Sequence, residues 1–335
     1  MEIPQLLVIN RWKRGKKVKH HVDNKQFHTD KIAILLATYN GGEYLSEQLD
    51  SLLAQTNSDW ITYLHDDGST DNTTTVIDDY VARYPQKFVK VEGKSTGGAK
   101  TNFFYLLSAV DAPYLMCCDQ DDVWLPEKVE TTYQAMKKLE AETGEDKPLL
   151  VFTELRVVDG KLGTVAERMS DYQQLDCTNT SLSRMLIQNV VTGCTMMMNR
   201  TLKDKMLQYQ NMDRIIMHDW WAAVIAAKFG RLHYVKTPCI CYRQHTDNSV
   251  GAKHAGSLGY IRKRLQNIED IKNSLRLTRV QAAELEESFG LSGDELVHGY
   301  AHLGEKSRGE RRHFYRKYDI QKTGKARKIG FFLWG

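Results

Sequence analysis

Short apolar runs alternate with polar loops over the first part of the chain. Residues 31–37 form one run, and others begin at residues 61, 88 and 114. Each run has the length and branched side chains of a buried strand, and helical periodicity follows the first three. This alternation predicts parallel strands with right-handed crossovers, so the polar loops should meet at the carboxyl edge of one sheet. Open α/β sheets bind their ligands at that edge.

The loops carry the turn residues that such units need. Residues 38–42 read Thr-Tyr-Asn-Gly-Gly, and residues 66–71 read Asp-Asp-Gly-Ser-Thr-Asp, in which Ser69 or Asp71 can cap the next helix. A third loop contains a Gly-Gly turn and leads into a helix predicted over residues 102–110. We therefore expect strand, polar loop and helix to repeat along the chain.

Three carboxylates fall within four residues where the fourth apolar run ends. Residues 119–122 read Asp-Gln-Asp-Asp. Asp119 and Asp121 can point toward one hard cation, Mg²⁺ or Mn²⁺, which prefers oxygen ligands and can also hold phosphate oxygens. The alternatives are a solvated turn or a helix N-cap, with Asp122 opening a helix before Pro126.

Four ordered motifs carry a resemblance to a known family. Ala-Thr-Tyr-Asn-Gly, Asp-Asp-Gly-Ser-Thr-Asp, Asp-Gln-Asp-Asp and His-Asp-Trp-Trp begin at residues 37, 66, 119 and 218. In order and spacing they resemble glycosyltransferase family 2. Together with the segments at residues 191–197 and 242–245, they are similar to bacterial rhamnosyltransferases that build cell-wall or capsular polysaccharides. The resemblance covers roughly residues 31–253.

This resemblance implies a GT-A fold, an α/β fold with a Rossmann-like, mostly parallel sheet, and an inverting transfer from a nucleotide-sugar. Tyr39 would stack near the base, and Asp67 would accept the imide N–H that thymine and uracil share. Lys100 could neutralise diphosphate charge, with a solvated lysine as the alternative. The implied nucleotide-sugar contacts are Ala37, Tyr39, Asp67, Lys100, Asn102 and Gln120.

The family pattern also implies a divalent cation, Mn²⁺ or Mg²⁺, as cofactor. Asp119 and Asp121 would hold it on the diphosphate, with Asp121 the better candidate for direct coordination and Asp122 left as a helix cap. His245 matches a carboxyl-terminal histidine that reaches the metal or diphosphate in many GT-A enzymes. A purely structural histidine is the alternative.

Inverting transfer needs one general base on the acceptor side of the sugar, and Asp219 matches the family's base position. At the start of a helical pattern, Asp219 could equally serve as an N-cap or favour the helix dipole. With an unperturbed pKa of about 3.9 it would be ionised at neutral pH, so no large shift is required. Trp220 and Trp221 could form an acceptor or sugar platform, or could belong to the core.

Length and charge divide the chain into three segments. The 335 residues comprise a basic, flexible segment at 1–30, a catalytic domain at 31–250 and a basic helical extension at 251–335, with net charges of +4, −7 and +7. The catalytic domain should combine a donor half, about 31–125, and an acceptor half, about 126–250, on one continuous sheet.

The C-terminal extension mixes cations with large apolar residues, notably at residues 308–317 and 322–334. Such a mixture suits docking on an anionic inner membrane leaflet, or an interface with another subunit in a homo-oligomer. Nucleic acid is not expected as a partner, because the positive charge avoids the folded centre and no nucleic-acid module is recognisable.

Apolar runs stay well below about 18 residues, and the N-terminus lacks a signal-peptide hydrophobic region. We therefore expect a cytoplasmic protein, peripherally associated with the inner face of the plasma membrane. The six cysteines show no zinc spacing and fit reduced, buried thiols.

The sequence thus favours transfer of L-rhamnose from dTDP-L-rhamnose to a lipid-linked saccharide in bacterial surface-polysaccharide assembly. A UDP-hexose or UDP-N-acetylhexosamine donor is the alternative within the class. A nucleotidyltransferase is less favoured, because its Gly-rich, Arg- and Lys-bearing loop is absent. A non-catalytic scaffold is less favoured because Asp67, Asp121 and Asp219 occur together.

Overall fold

A computed structural model describes residues 27–245 and 268–334. The strands are β1 (Phe27–His28), β2 (Ile32–Thr38), β3 (Trp60–Asp66), β4 (Phe88–Lys90), β5 (Val110–Asp111), β6 (Tyr114–Cys118), β7 (Val123–Trp124), β8 (Leu149–Val158), β9 (Thr164–Ala166), β10 (Met196–Asn199) and β11 (Arg231–Arg243). The helices are α1 (Leu45–Leu53), α2 (Thr73–Arg83), α3 (Ala99–Ala109), α4 (Lys128–Thr143), α5 (Met169–Tyr172), α6 (Leu182–Met185), α7 (Arg200–Met206), α8 (His218–Phe229), α9 (Ile268–Phe289), α10 (Glu295–Ala301), α11 (Arg308–Lys317) and α12 (Lys325–Trp334).

The main sheet has the strand order β4-β3-β2-β6-β10-β8-β11-β7, with β9 beside β8. Strands β4, β3, β2 and β6 are parallel neighbours, as the alternating pattern predicts. Strand β10 is antiparallel to both β6 and β8, which the pattern does not indicate. The predicted α/β class is confirmed, and the sheet beyond β6 is mixed.

Strand β2 is apolar along its length because both of its faces are covered. Ile34 and Leu36 belong to the core shared with α1 and α4, whereas Ala33 and Leu35 belong to the core shared with α3 and α8. Its register with β3 places Thr38 opposite Asp66, so the two following loops leave the sheet together. The same edge receives the end of β6.

Two predicted helix caps are wrong. Helix α2 begins at Thr73 with Asn72 at the cap position, and Asp71 instead accepts hydrogen bonds from the backbone N–H and hydroxyl of Thr73. Asp122 does not open a helix: it lies before the short strand β7, fully buried, and α4 begins only at Lys128. The buried carboxylate accepts the Arg243 backbone N–H at 3.1 Å.

The predicted helical extension is present where it is described, and it packs against the segment that precedes α8. Gln281 of α9 accepts the backbone N–H of Ile216, and Glu284 accepts those of Gln210 and Asn211. The extension therefore supports the segment that leads into α8. Residues 1–26 of the predicted flexible segment and residues 251–267 of the predicted extension lie outside the described residues.

Two further sequence expectations can be compared with the fold. All six cysteines are free thiols, five of them buried and Cys241 partly buried. Among the described residues, none of the helices combines the length and apolarity needed to cross a membrane.

Candidate functional site

Gln120 fixes the first polar loop by bonding both sides of one residue. Its side-chain oxygen accepts the Tyr39 N–H at 2.8 Å, and its amide donates to the Tyr39 carbonyl at 2.9 Å. The next residue, Asn40, has a φ of 47° and accepts the Thr70 N–H at 2.8 Å. These contacts hold the Tyr39 ring outside the sheet edge, where it is 57% exposed. An exposed ring on a fixed backbone is a stacking surface.

Asp67 is buried beneath the loop at residues 95–98. Its carboxylate accepts the backbone N–H groups of Thr96 and Gly98 and the hydroxyls of Ser95 and Thr96. Burial opposes ionisation, but these hydrogen bonds outweigh it, so the pKa of Asp67 is lowered. The carboxylate is therefore ionised, and this loop occupies much of its acceptor capacity.

Lys100 and Asn102 bond to the protein's own framework. The Lys100 ammonium donates to the carbonyls of Met212 at 3.1 Å and Ile215 at 2.7 Å, in the segment before α8. Burial lowers the pKa of Lys100. Asn102 is buried and bonds the His65 ring at 2.8 Å and its carbonyl at 3.3 Å. The contacts of Lys100 and Asn102 with a nucleotide-sugar stay predictions. Their observed hydrogen bonds position the loops. Ala37, half-buried, lies opposite His65 at the end of β2.

Carboxyl groups crowd the loop after β6. Burial, and then the neighbouring charges of Asp121 and Asp219, raise the pKa of Asp119 to about 7. Burial and the charges of Asp121 and Asp119 also raise the pKa of Asp122. The Cys194 thiol lies within hydrogen-bonding reach of both, and its own pKa is raised by burial, so it is protonated. A positive charge would therefore be strongly stabilised at this edge of the sheet.

His245 and Arg243, from the last strand region, both contact this loop. The Nε2 atom of His245 lies 2.8 Å from Oδ2 of Asp121. The Arg243 guanidinium is buried and donates to the carbonyls of Asp121 at 2.9 Å and Gly160 at 2.7 Å, and to the Glu47 carboxylate. Arg243 was absent from the predicted site, although it belongs to the same Tyr-Arg-Gln-His motif as His245.

Asp219 lies in the first turn of α8, which confirms the helix-start position but not the N-cap. Met217 occupies the cap position. The Asp219 carboxylate accepts the Trp220 N–H at 2.5 Å and also the Gly193 N–H, which ties it to the loop before β10. Burial nevertheless raises the pKa of Asp219 to about 7. No shift was required for the predicted role, and the sequence did not indicate this effect of burial.

The two tryptophans after Asp219 have different environments. Trp221 is fully buried and donates its ring N–H to the Met206 carbonyl at 3.0 Å, which makes it a core residue and excludes the platform role. Trp220 is half-buried and donates to the Met185 carbonyl at 2.6 Å. Only Trp220 keeps a surface that an acceptor could contact.

The loops just described lie within or beside a recognised domain. The sequence model described as glycosyl transferase family 2 matches residues 33–144. These residues are a glycosyltransferase family 2 domain.

Several curated proteins are similar to this glycosyltransferase. The dTDP-rhamnosyl transferase RfbG of Shigella flexneri is 26% identical over 275 residues, 79% of this chain and 89% of that protein. An uncharacterized glycosyltransferase of Nostoc is 25% identical over 235 residues, 68% of this chain and 69% of that protein. An uncharacterized protein of Mycobacterium tuberculosis is 27% identical over 217 residues, 64% of this chain and 59% of that protein.

Solved structures give the fold of this glycosyltransferase. S. aureus TarS matches with a TM-score of 0.52 at 16% identity, over 84% of this chain and 44% of that chain. Its fragment 1–349 in complex with UDP matches with a TM-score of 0.50 at 14% identity, over 85% of this chain and 78% of that chain. The expected GT-A fold is confirmed.

A divalent cation is the cofactor that this fold family implies. At the loop after β6 the ligand atoms of Asp119, Asp122 and Cys194 lie within 4.8 Å of one another, whereas Asp121 faces His245. Carboxylate oxygens of Asp119 and Asp121 and an imidazole nitrogen of His245 are ligands that Mn²⁺ and Mg²⁺ accept to different degrees. The pKa of Asp119 is raised first by burial and then by the neighbouring charges of Asp121 and Asp219, and a bound cation would oppose both effects. Asp122 is the least accessible of the three carboxylates, because it is fully buried.

Proposed function

We propose that this glycosyltransferase transfers L-rhamnose, with inversion, from dTDP-L-rhamnose to a lipid-linked saccharide during bacterial surface-polysaccharide assembly. The observation that carries the reaction class is the glycosyl transferase family 2 domain at residues 33–144, and Asp219 lies close enough to the acidic loop, residues 119–122, for its charge to raise the pKa of Asp119. The sugar is supported by the similarity to the dTDP-rhamnosyl transferase RfbG over most of both chains.

Asp219 is the proposed general base. Its carboxylate takes the proton of the acceptor hydroxyl while that oxygen attacks the anomeric carbon, and the bond from that carbon to the nucleoside diphosphate breaks. A pKa of about 7 makes Asp219 a stronger proton acceptor than an exposed aspartate, and about half of it is ionised at neutral pH. The hydrogen bonds from Trp220 and Gly193 hold the carboxylate in place.

We assign binding of the donor's diphosphate to the acidic loop. Asp121 and Asp119, with His245, would hold Mn²⁺ or Mg²⁺, which when bound supplies positive charge to the leaving diphosphate. Arg243 positions this loop through its bond to the Asp121 carbonyl. Gln120 fixes Tyr39 through both of its side-chain hydrogen bonds, and its contact with the nucleotide-sugar is proposed from that position.

We assign binding of the donor's nucleobase to Tyr39 and Asp67. The exposed Tyr39 ring can stack on a pyrimidine. The Ser95 and Thr96 donors bond Oδ1 of Asp67, whereas Oδ2 accepts the Gly98 N–H, so Oδ2 has a second acceptor position for the imide N–H. Thymine and uracil share that donor, so the donor sugar must be identified by measurement.

The deciding experiment is calorimetric binding of dTDP-L-rhamnose, UDP-glucose and UDP-N-acetylglucosamine, with Mn²⁺, with Mg²⁺ and with chelator. Metal-dependent preference for dTDP-L-rhamnose would support the proposal, whereas preference for a UDP-sugar would replace the sugar. No binding to any nucleotide-sugar would favour a scaffold. Turnover assays should release dTDP; release of rhamnose 1-phosphate, the leaving group of attack at the α-phosphorus, would instead indicate a nucleotidyltransferase.

Docking on an anionic membrane leaflet is the proposed role of the chain's basic C-terminal end. Ile329, Phe332 and Leu333 of α12 are exposed, and the Arg312 guanidinium lies 5.1 Å from the centre of the Phe332 ring. Apolar side chains beside cations match a lipid interface. Co-sedimentation with phosphatidylglycerol vesicles should fall for Phe332→Asp but not for Val165→Asp, which changes a comparably exposed residue on β9. Equal loss in both, or none, would contradict this role and leave a subunit interface, which light scattering would detect.

A further inference from the structure

A cluster of one glutamate and two histidines lies in the C-terminal helices, separate from the acidic loop. Glu286 is on α9, His298 is on α10, and His302 follows α10 directly. His298 Nδ1 lies 2.6 Å from one Glu286 oxygen, and His302 Nε2 lies 3.3 Å from the other. One ligand atom from each of the three residues falls within 4.8 Å of the other two.

Local structure explains why the three side chains converge. His298 and His302 are four residues apart, which puts them on one face of a helix, and their ring centres are 4.6 Å apart. Helix α10 is fixed against α9 by the bond between Thr278 and Tyr300, 2.8 Å long and buried. The relative placement of the glutamate and the histidines is therefore set by packed helices rather than by mobile side chains.

The charge balance of Glu286 also points to a cation. Its side chain is only 11% exposed. Within residues 27–245 and 268–334, its ionic partners are His298 and His302, with no lysine or arginine among them. A buried carboxylate needs a positive partner, which either a protonated histidine or a metal ion can supply.

The two ring nitrogens of His302 face different carboxylates. While its Nε2 faces Glu286, its Nδ1 lies 3.8 Å from the Glu305 carboxylate. A carboxylate that accepts the second ring N–H fixes the tautomer and raises the basicity of a metal-bound histidine. At 3.8 Å this contact is longer than a hydrogen bond, so a small shift of the Glu305 side chain would make it the outer partner of His302, with Glu286 and His298 as the inner set.

We infer that Glu286, His298 and His302 bind a borderline divalent transition metal, with Zn²⁺ as the expected ion. Two imidazoles and one carboxylate suit Zn²⁺, whereas Mg²⁺ and Ca²⁺ prefer oxygen ligands. Zinc–ligand bonds of about 2.0 to 2.2 Å separate tetrahedral ligands by roughly 3.4 Å, so the observed spacing needs only a small opening. Three protein ligands leave the fourth position to water or a partner's side chain.

Binding at this site would join α9 to α10 and stabilise the extension that supports the segment before α8. The inference does not depend on the sugar donor or on the acidic loop. It can therefore be tested without any transfer assay.

The test is zinc stoichiometry and affinity on the full chain, measured by elemental analysis after desalting and by calorimetric titration of chelator-treated protein. Asp121→Asn is the background, so that zinc at the acidic loop does not mask the result. We expect one zinc per chain in that background, and at least tenfold weaker binding after Glu286→Gln or His302→Ala. His313→Ala, which removes an exposed histidine on α11, should leave zinc binding unchanged.

Glu305→Gln provides the finer test, because loss of an outer partner typically weakens metal binding 10- to 100-fold. Bound Co²⁺ should give the absorption of a four-coordinate site, and should lose it in His302→Ala. Zinc should raise the melting temperature of the Asp121→Asn protein but not of its His302→Ala derivative. Absence of zinc binding in the background protein, or equal binding in Glu286→Gln and His313→Ala, would overturn the inference and leave an ion-pair cluster.

Discussion

His245 Nε2 lies 2.8 Å from Oδ2 of Asp121, although 124 residues separate them in the chain. Both side chains are only 15% exposed. The contact joins the end of the last strand region to the acidic loop after β6. It places an imidazole nitrogen beside a carboxylate oxygen, and both atom types can bind Mn²⁺.

Replacing Asp121 with Asn should weaken metal-dependent nucleotide-sugar binding, because an amide oxygen carries no net charge for the cation. We expect a loss of 10- to 100-fold in the presence of Mn²⁺, and a smaller loss for His245→Ala. Calorimetry with and without chelator measures both. Unchanged Mn²⁺-dependent affinity in Asp121→Asn would remove Asp121 from the metal ligands, and an unchanged melting temperature is the control for folding.

Replacing Asp219 with Asn should lower the transfer rate by about 10² to 10⁴, the usual contribution of a general base. The amide keeps the shape of the side chain and cannot take the proton. Donor affinity should stay within about twofold of the original value. Single-turnover transfer and calorimetric donor binding together test this, and near-normal transfer would exclude Asp219 as the base.

The pH profile of the transfer reaction should follow the ionisation of the Asp219 carboxyl group. A general base must be deprotonated, and the pKa of Asp219 is raised to about 7. We therefore expect kcat/KM to fall about tenfold per pH unit below pH 7 and to level off above it. Measured rates from pH 5 to 9 test the sign. A profile that is flat between pH 5 and 7 would contradict a base with this pKa.

Arg243→Lys should destabilise the acidic loop and the fold. The buried guanidinium bonds Asp121, Gly160 and Glu47 together and lies 4.5 Å from the Tyr44 ring centre. A lysine ammonium cannot reproduce that planar set of donors. We expect the free energy of unfolding to fall by about 2 to 4 kcal/mol, and donor affinity to weaken. Urea unfolding measures the first effect. Arg83→Lys, in an exposed pair with Asp79, is the control and should change little.

Sequence periodicity was sufficient to predict the edge of the sheet where the site forms. Strands β2, β3 and β6 are buried on both faces, so their apolar runs are continuous and their ends are marked by the first polar residues. Thr38, Asp67 and Asp119 therefore follow predicted strand ends. The antiparallel strand β10 could not be predicted in this way, because its Met-rich run gives length and burial but no direction.

Side-chain direction was the second quantity that the sequence left open. Asp121 and Asp122 are adjacent and chemically identical, yet one contacts His245 and the other is fully buried against the Arg243 backbone. Likewise, only packing decides that Trp221 enters the core. These outcomes depend on contacts with residues more than 100 positions away or on another helix, which a local pattern does not contain.

His218, the residue before Asp219, should make stability depend on pH. Its ring is buried and stacks on Phe103, with ring centres 4.1 Å apart, and burial lowers its pKa to about 3. The unfolded chain takes up a proton near its ordinary pKa of about 6.5, whereas the folded protein does so only near 3. Proton uptake therefore favours unfolding as the pH falls through this window.

Replacing His218 with Phe keeps an aromatic ring against Phe103 and removes the titration. In the original protein, this histidine should reduce the free energy of unfolding by up to about 1.4 kcal/mol per pH unit between pH 6 and 4. The raised pKa values of Asp119 and Asp219 act in the opposite direction, but they are common to both proteins. Urea unfolding at pH 7, 6, 5 and 4 should show the original protein losing stability relative to His218→Phe on acidification, because only the original protein bears this cost. Parallel curves would mean that His218 gains a proton in the folded state and is not held neutral by burial.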